Sequence, residues 1–267
     1  MQTEPYRWRL SPSFIAHLWK AVTQQHHREL VPALARCVPR DGVVLDVGAH
    51  AGQFTKLLAR LAPDGRVYAV EPGSYARAIL RAAIWAHRLN NVVIVPVALG
   101  AEKRLERLNI PVKAGGAVGF GLSHFGAAET RWQRVSTELV AQTTVDELVA
   151  ALALERLDFI KADIEGGELR LLRGAAKSLE RFRPRLLIEL SGGHLARAGD
   201  DLAGAFAFLA GLGYGAFAWS GAGVLHPVAA PGEGDFWFFP AEDPLALRLA
   251  AAAPPRLKPR AAPAAAC

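Results

Sequence analysis

The sequence predicts an α/β fold in which a mostly parallel sheet of seven strands carries helices on both faces. Three observations support this prediction. Short apolar runs rich in β-branched residues, typical of buried parallel strands, alternate with segments of helical periodicity. This alternation of strand, helix and strand implies right-handed crossovers, which place helices over the sheet. The length of 267 residues suits one large domain or two small ones.

The most informative segment contains the first strand, the turn after it and the helix that follows. Residues 43–47 form an apolar run that only Asp46 interrupts. Gly48 and Gly52 bracket a turn, and apolar residues recur at helical spacing over 54–61. Glycine allows a ligand to approach the backbone closely, and free amides at a helix start favour a carboxylate or phosphate. The segment therefore predicts an anion-binding turn.

The turn differs from the fingerprint of dinucleotide-binding proteins. That fingerprint is G-x-G-x-x-G, whereas residues 48–52 read Gly-Ala-His-Ala-Gly. A second strand over 67–70 ends in Glu71, whose two oxygens can accept hydrogen bonds from both hydroxyl groups of a ribose. The pattern favours an adenosine cofactor with a carboxylate-bearing tail over NAD or FAD.

The other elements follow from local patterns along the chain. Ser74 is suited to be an N-cap, and Thr144 with Glu147 forms a capping box. The patterns predict one or two helices over 11–36, a helix over 74–89, a strand over 92–97, two short antiparallel strands around a mobile loop over 100–142, a helix from 144 to about 154, a strand over 157–162, a helix over 167–179, a strand over 185–190, a helix over 202–209, and strands over 214–219 and 235–239.

Four motifs, in order, resemble those of the FkbM family of S-adenosylmethionine-dependent methyltransferases. They are VLDVGAHAG from residue 43, AVEP at 69–72, TTVDEL at 143–148 and KADIEGGELRLLRGA at 161–175. The resemblance implies a Rossmann-like class I methyltransferase fold whose last two strands form a hairpin at the sheet edge. It also implies S-adenosyl-L-methionine as cofactor and a hydroxyl acceptor, such as a sugar or a secondary metabolite.

The chain divides into three predicted parts. Residues 1–40 form an N-terminal helical cap, and 41–240 form the S-adenosylmethionine-binding methyltransferase domain. Residues 241–267 are rich in alanine and proline and have almost nothing to bury in a core. We expect this tail to be disordered, except for one helical turn at 244–252.

Composition and charge narrow the partners and the compartment. The net charge is +6, but the arginines lie mostly along helical faces, which argues against a nucleic-acid partner. The apolar stretch over 202–225 is broken by glycines, which argues against a membrane span. With two cysteines and no apolar signal core at the start, the sequence favours a cytoplasmic location. The oligomeric state is left open.

The predicted cofactor site lies outside the carboxyl ends of the strands, where open parallel sheets bind ligands. Asp46 faces the ammonium group of the cofactor in this hypothesis, with a structural hydrogen bond to the turn amides as the alternative. The predicted cofactor-binding residues are Asp46, Gly48, Ala49, His50, Gly52, Glu71, Pro72 and Asp163.

Asp163, Glu165 and His194 are the predicted catalytic residues. Methyl transfer from a sulfonium requires alignment of acceptor, methyl group and sulfur, and a hydroxyl acceptor calls for a general base. Glu189 and His124 are further candidates for that base. An acidic helix start is the alternative explanation for the acidic residues after the fourth strand. We predict no metal site, because the spacing of the acidic residues matches no specific metal-binding pattern.

Two other functions remain open at this stage. A methyltransferase that acts on RNA or on an amino nitrogen usually shows an Asn/Asp-Pro-Pro-aromatic motif after the fourth strand. Residues 162–165 read Ala-Asp-Ile-Glu instead. The other alternative is a non-catalytic scaffold that binds the cofactor without turning it over.

Overall fold

Strands and helices alternate along the chain. The computed structural model describes residues 11–112, 119, 124–125, 134–220 and 224–252. The described strands are β1 (Val43–Val47), β2 (Arg66–Val70), β3 (Val92–Val95), β4 (Ala98–Leu99), β5 (Arg104–Val112), β6 (His124–Phe125), β7 (Arg134–Thr143), β8 (Phe159–Ala162), β9 (Arg185–Leu190), β10 (Tyr214–Ser220), β11 (Val224–Pro227) and β12 (Gly234–Pro240). The described α-helices are α1 (Pro12–Thr23), α2 (Val31–Cys37), α3 (Gln53–Leu61), α4 (Ser74–Ala86), α5 (Val145–Ala151), α6 (Glu168–Arg173), α7 (Ala176–Phe182), α8 (Gly192–Arg197), α9 (Leu202–Gly211) and α10 (Pro244–Ala252), with a 3₁₀ helix over Arg28–Leu30.

The main sheet has the strand order β11-β10-β12-β9-β8-β1-β2-β3. The strands from β9 to β3 run parallel, whereas β12, β10 and β11 pair antiparallel. In this register Asp46 of β1 lies beside Lys161 of β8. The carboxyl ends of β1, β2, β8 and β9 therefore meet at one rim of the sheet, as the sequence predicts.

Both faces of the main sheet are covered by apolar side chains. In β1, Leu45 and Val47 belong to one buried cluster, and Val44 belongs to the cluster on the other face. Alternate residues of a strand point to opposite faces, so a strand buried on both sides reads as a continuous apolar run. This burial on both faces explains why the strands could be predicted from apolar runs in the sequence.

The main sheet contains eight strands, and the prediction of seven is wrong. The additional strand is β11, which pairs only with β10 at the sheet edge. It is four residues long and ends at Pro227, which an edge strand tolerates because one of its sides has no hydrogen-bonding partner. A segment of this length that ends in proline is difficult to recognise as a strand from its sequence. The predicted edge hairpin is present, extended by this strand.

A second sheet with the order β4-β7-β5-β6 lies in the region predicted to hold two short strands. β5 and β7 have nine and ten residues, so both are longer than predicted. Leu108 and Ile110 of β5 are buried in a cluster with residues of α1 and α4. Most of the predicted mobile loop between β5 and β7, and the side chain of His124, lie outside the described residues.

The helix predicted over 167–179 is divided into α6 and α7 at Gly174. A Cβ atom at Gly174 would lie 2.0 Å from the carbonyl oxygen of Gly100. Backbone packs against backbone at this point, and this contact is made between segments distant in sequence. Helical periodicity alone could not reveal it.

The start of α4 also differs from the prediction. Gly73, and not Ser74, occupies the N-cap position, and Ser74 is the first residue of the helix. The amide and the hydroxyl of Ser74 donate to the two carboxylate oxygens of Glu138, at 2.9 and 2.5 Å. A carboxylate near a helix start stabilises the helix through its free amides. Because Glu138 belongs to β7, this contact joins the second sheet to α4.

The predicted N-terminal cap contains α1 and α2. Lys56 of α3 is buried and donates to the carbonyl oxygens of Ala21 and Gln24, at 2.6 and 2.8 Å, at the end of α1. These carbonyls lack partners within the helix, so the lysine satisfies them and ties α1 to α3. The division of the chain into cap, methyltransferase domain and tail stays a prediction.

The tail predicted from residue 241 contains a helix, α10, over the residues 244–252 for which one helical turn is predicted. The helix is nine residues long, and Leu245 and Ala246 are buried. Asp243 accepts hydrogen bonds from the amides of both residues, at 2.7 and 3.3 Å. Residues 253–267 lie outside the described residues.

Candidate active site

A cavity of about 270 Å³ lies at the carboxyl ends of β1, β2, β8 and β9, and we refer to it as the main cavity. Residues that follow these strands form one part of its lining, and side chains of α4, β5 and β6 form another. The lining residues are Gly48, His50, Glu71, Pro72, Gly73, Tyr75, Ala76, Leu108, Ile110, Phe125, Asp163, Ile164, Glu165 and Glu189. This is the rim at which the sequence predicts a ligand.

The turn after β1 packs closely against the segment after β8. Gly48 has φ of +76°, and a Cβ atom there would lie 1.9 Å from the carbonyl oxygen of Asp163. The amides of Gly48 and Ala49 both donate to the carbonyl of Val70 at 3.0 Å, and the amide of His50 donates to a carboxylate oxygen at the end of β2. These three turn amides bond within the protein, whereas the expectation of free amides concerns the start of α3 at Gln53 and stays a prediction.

Three of the predicted cofactor residues, Asp46, Ala49 and Gly52, do not line the main cavity. Asp46 is fully buried and accepts a hydrogen bond from the hydroxyl of Thr55 at 2.5 Å. This bond to α3 takes the place of the bond to the turn amides that was the structural alternative. Burial raises the pKa of Asp46, although the nearby charge of Lys161 acts in the opposite direction.

Glu71 lines the main cavity at the end of β2, next to Pro72. Its Oε2 accepts from the amide of His50 at 2.9 Å, and its Oε1 accepts from the amide of Gly73 at 2.7 Å. Burial raises the pKa of Glu71 to about 7 against these two hydrogen bonds. Each carboxylate oxygen can accept more than one hydrogen bond, so a ligand hydroxyl can still be bound. The backbone thus fixes the orientation of this carboxylate.

Lys161 is a buried cation at the centre of the rim. Its Nζ lies 3.3 Å from Oδ2 of Asp163, 3.9 Å from Oδ1 of Asp46 and 4.7 Å from the centre of the Phe54 ring. Burial disfavours the charge of Lys161, but the two carboxylates outweigh this effect and raise its pKa. The sequence analysis missed this residue. The signal was present, since a lysine inside the apolar run 157–162 needs a buried partner.

The carboxyl groups of Asp163 and Glu189 interact across the ends of β8 and β9. A hydrogen bond to Asp163 raises the pKa of Glu189 to about 8, and burial adds to this effect. For Asp163, burial acts to raise the pKa, but Lys161 and the bond from Glu189 lower it. Glu189 therefore holds a proton more tightly than Asp163 does.

Glu165 and His194 form a second polar pair at the same rim. Nδ1 of His194 lies 2.9 Å from Oε2 of Glu165, and both side chains are partly exposed. Gly166 has φ of +111°, and a Cβ atom there would lie 2.3 Å from the carbonyl oxygen of His194. This close approach joins the segment after β8 to α8, a helix that was not predicted. His194 is therefore a paired histidine on a helix.

A smaller cavity of about 140 Å³, which we call the side cavity, adjoins the main cavity. The two cavities share Phe125, Ile164 and Glu165 as lining residues. The side cavity is lined by Leu99, Gly100, Arg104, Phe125, Gln142, Ile164, Glu165, Gly166, Gly167, Arg170, His194, Arg197 and Ala198. Of the predicted catalytic residues, Asp163 and Glu165 thus face the main cavity, while His194 faces the side cavity.

His50 is mostly enclosed and has φ of +48°. Burial lowers the pKa of His50 to about 4, so its imidazole is neutral at physiological pH.

Within the described residues, no three His, Cys, Asp or Glu side chains are placed to hold a metal ion. The described helices include none that is both long and apolar enough to cross a lipid bilayer.

Comparisons with known proteins identify the family of the domain. The family model of the Methyltransferase FkbM domain matches residues 46–215. No curated protein sequence matches the chain. Among solved structures, the chain is similar to Methyltransferase FkbM from Methylobacillus flagellatus KT, with 17% identity and a TM-score of 0.48 over 84% of this chain and 58% of that one.

Two further solved structures show a comparable similarity. An rRNA methylase from Streptococcus thermophilus shares 13% identity, with a TM-score of 0.45, over 81% of this chain and 95% of that one. An O-methyltransferase from Bacillus cereus in complex with SAH shares 12% identity, with a TM-score of 0.46, over 86% of this chain and 90% of that one.

Proposed function

This chain belongs to the FkbM family of methyltransferase domains, for which S-adenosylmethionine is the methyl donor, and we propose that it methylates a hydroxyl group of a sugar or a secondary metabolite. One observation carries the choice of a hydroxyl acceptor. The paired side chains of Glu165 and His194 stand beside the cavity in which the cofactor would bind. Such a pair can take a proton from a hydroxyl, a step that an aliphatic alcohol requires and a neutral amine does not.

The residues of the main cavity fit the cofactor. Glu71, whose orientation is fixed by two amides, would accept hydrogen bonds from the ribose hydroxyls. The apolar side chains of Leu108 and Ile110 would lie against the uncharged parts of the molecule. Asp163 would lie close to the positively charged sulfonium, and Lys161 behind it keeps the carboxylate ionised. The bound cofactor supplies an activated methyl group on a sulfur that leaves as a neutral thioether.

His194 is the stronger candidate for the general base. Asp163 is a weak base, because Lys161 and Glu189 lower its pKa against the effect of burial. An imidazole nitrogen can accept the proton of a hydroxyl, as a general base must. Since Nδ1 of His194 faces Glu165, Nε2 would receive the proton of the acceptor hydroxyl, and the carboxylate would stabilise the resulting imidazolium. Asp163 would orient the hydroxyl.

Three other predictions accompany this proposal. We propose that the acceptor is a small molecule, that nucleic acid is not a partner, and that the protein acts in the cytoplasm. The segment after β8, Ala-Asp-Ile-Glu, supports the first two, because it lacks the aromatic motif usual in enzymes that methylate amino nitrogens. The buried thiol of Cys37 is compatible with a reducing compartment.

The experiment that tests the proposal has two stages. Thermal melts with S-adenosylmethionine, S-adenosylhomocysteine and NAD, run in parallel, establish which ligand binds the folded protein. A ligand at one hundred times its dissociation constant stabilises by about 2.7 kcal/mol. Methyl-labelled S-adenosylmethionine is then offered with sugars, phenols, amines and RNA, and the label is located in the product.

We expect stabilisation by the two sulfur ligands but not by NAD, and label on oxygen. Label on nitrogen would show that the acceptor is an amine, and label on RNA would show that the acceptor is RNA. Either result would overturn the proposed hydroxyl acceptor. The protein could instead bind the cofactor and give no labelled product from any class of acceptor. If the Asp163→Asn variant then also kept its cellular function, the results would favour a non-catalytic scaffold. Replacement of His194 by Gln should lower the rate of methyl transfer.

A further inference from the structure

We propose that the side cavity binds an anionic group of the methyl acceptor, a phosphate or a carboxylate. The acceptor would then place its hydroxyl at the wall that the two cavities share and its negative charge among the arginines of the side cavity. This inference rests on the proposed function, since it assigns a substrate class to the same site. Arg104 and Arg197 lie outside the sequence motifs that carry the family resemblance, whereas Glu165 and Arg170 lie within the last of these motifs.

Three arginines from three separate elements converge on the side cavity. Arg104 begins β5, Arg170 belongs to α6, and Arg197 ends α8. No single motif places them together, because more than ninety positions of the chain separate the first from the last. Guanidinium groups bind phosphate and carboxylate through several parallel hydrogen bonds, so this set suits an anion.

The carboxylates that pair with Arg104 and Arg170 do not line the side cavity. Arg104 contacts Glu102 at 3.0 Å and Glu106 at 2.5 Å, and Nε of Arg170 lies 3.5 Å from Asp200. The side chain of Asp200 is only 6% exposed. Glu102, Glu106 and Asp200 thus hold guanidinium groups that line the side cavity, but they are not part of its lining. Among the described residues that line the cavity, Glu165 is the one with a negative charge.

Glu165 pairs with His194 at 2.9 Å, and its single negative charge is outnumbered by the three arginines of the cavity lining. The pair also fixes the direction of the acceptor. Glu165 belongs to both cavities, so a hydroxyl near His194 lies at the shared wall while the anionic end of the same molecule faces the arginines. The positive groups thus select and align the acceptor, and the paired histidine takes its proton.

The volume of the side cavity limits what can enter it. At about 140 Å³ it has about half the volume of the main cavity, which is about 270 Å³. The smaller space suits the anionic end of an acceptor better than the whole cofactor. The cofactor is therefore assigned to the main cavity and the anionic end of the acceptor to the side cavity.

The test uses the whole chain saturated with S-adenosylhomocysteine and titrated with the anions alone. Sodium phosphate and sodium acetate are compared with sodium chloride at equal ionic strength, so that a general salt effect is subtracted. We expect phosphate or acetate to raise Tm by about 2 °C or more beyond chloride. The one that does so identifies the class of anion.

The matched control comes from two neighbouring arginines of α6. Arg170 and Arg173 both contact Asp200, at 3.5 and 3.1 Å, but only Arg170 lines the side cavity. Arg170→Gln and Arg197→Gln should each abolish the stabilisation by the anion, and Arg173→Gln should retain it. Stabilisation by S-adenosylhomocysteine should be unchanged in all three variants.

The outcomes separate this inference from the proposed function. Stabilisation by S-adenosylhomocysteine with no effect of phosphate or acetate beyond chloride overturns the anion site and leaves the proposed function standing. An anion effect that survives in both Arg170→Gln and Arg197→Gln also overturns it, because the anion then binds elsewhere. An anion effect without any effect of S-adenosylhomocysteine overturns the proposed function, and with it the assignment of the anion to an acceptor.

Discussion

The turn after β1 and the rim formed after β8 and β9 are held by different interactions. At the turn, backbone contacts backbone: Gly48 lies against the carbonyl of Asp163, and the turn amides donate to β2. At the rim, charged side chains contact one another around Lys161. The turn is the more conspicuous in the sequence, yet most of the titratable groups of the site lie at the rim.

This difference shows that a conspicuous motif need not contain the reacting groups. Glycines stand out in a sequence because only they fit certain backbone conformations, so they mark close packing more reliably than chemistry. Charged groups at the rim come from strands far apart in sequence and are recognised only once the sheet brings them together. Substitutions at Lys161 and Gly48 test how each region is held. Substitutions at Glu71 and Glu189 test what the site residues contribute to binding and to pH dependence.

Removal of the buried cation should have the largest effect. Lys161→Met leaves Asp46 and Asp163 without their counter-charge, and breaking a buried ion pair in this way costs about 3 to 5 kcal/mol of unfolding free energy. Urea denaturation followed by circular dichroism measures the loss. Lys103→Met is the control, since Lys103 pairs with Glu147 at the surface, where about 1 kcal/mol or less is expected. Equal losses in the two variants would show that the rim does not depend on its cation.

Substitution at the turn should come next. Gly48→Ala places a Cβ atom 1.9 Å from the carbonyl of Asp163 and imposes a left-handed conformation on alanine, with a combined cost of about 2 to 5 kcal/mol. Gly193→Ala in α8 is the control, because no atom lies within 4 Å of its Cβ position. Thermal melts of both variants give the comparison. A Gly48→Ala protein with the wild-type Tm would contradict the packing of the turn.

Loss of the carboxylate after β2 should affect the cofactor more than the fold. Glu71→Ala removes the predicted acceptor of the ribose hydroxyls and should weaken binding of S-adenosylhomocysteine by about 1.5 to 3 kcal/mol, the scale of a hydrogen bond to a charged group. Calorimetric titration below the melting range measures the change. Glu71→Gln keeps one carbonyl acceptor, so this variant should lose less of the free energy of binding S-adenosylhomocysteine. An unchanged affinity in Glu71→Ala would remove this residue from the site.

The smallest effect concerns the raised pKa of Glu189. This pKa is raised to about 8 by the bond to Asp163, so the folded state binds the proton of Glu189 more tightly than the unfolded state. The resulting stability is complete below about pH 4.5 and is lost as the pH rises through about 8. Glu189→Gln keeps a donor toward Asp163 but cannot ionise. The decrease in Tm between pH 6 and pH 9 should therefore be smaller in Glu189→Gln than in the wild type, and equal decreases would argue against the raised pKa.

Much of the fold was predictable because burial leaves a regular pattern. The strands β1, β2, β8 and β9 are apolar runs, and their order along the chain implies a common rim. The eighth strand, the division at Gly174 and the helix α8 were not predictable. Each depends on contacts between segments that are distant in sequence, so local periodicity carries little trace of them.

Parts of the candidate site were predictable for a different reason. Glu71 and Asp163 directly follow strands, and the direction of a parallel strand places such residues at the rim. Asp46 precedes the end of its strand, so its side chain remains in the core beside Thr55. The sequence suggested a role for Lys161 only through its presence in an apolar run, and that signal was missed.

By itself, the sequence determined the parallel sheet, the rim at the carboxyl ends of its strands and the family, since apolar periodicity and glycine spacing are local properties of the chain. Only the tertiary structure decided which groups meet: Lys161 with Asp46 and Asp163, Glu165 with His194, and the three arginines of the side cavity. The physical reason is that the pKa and orientation of each group depend on neighbours contributed by other strands and helices, and the linear order of residues does not specify those distances.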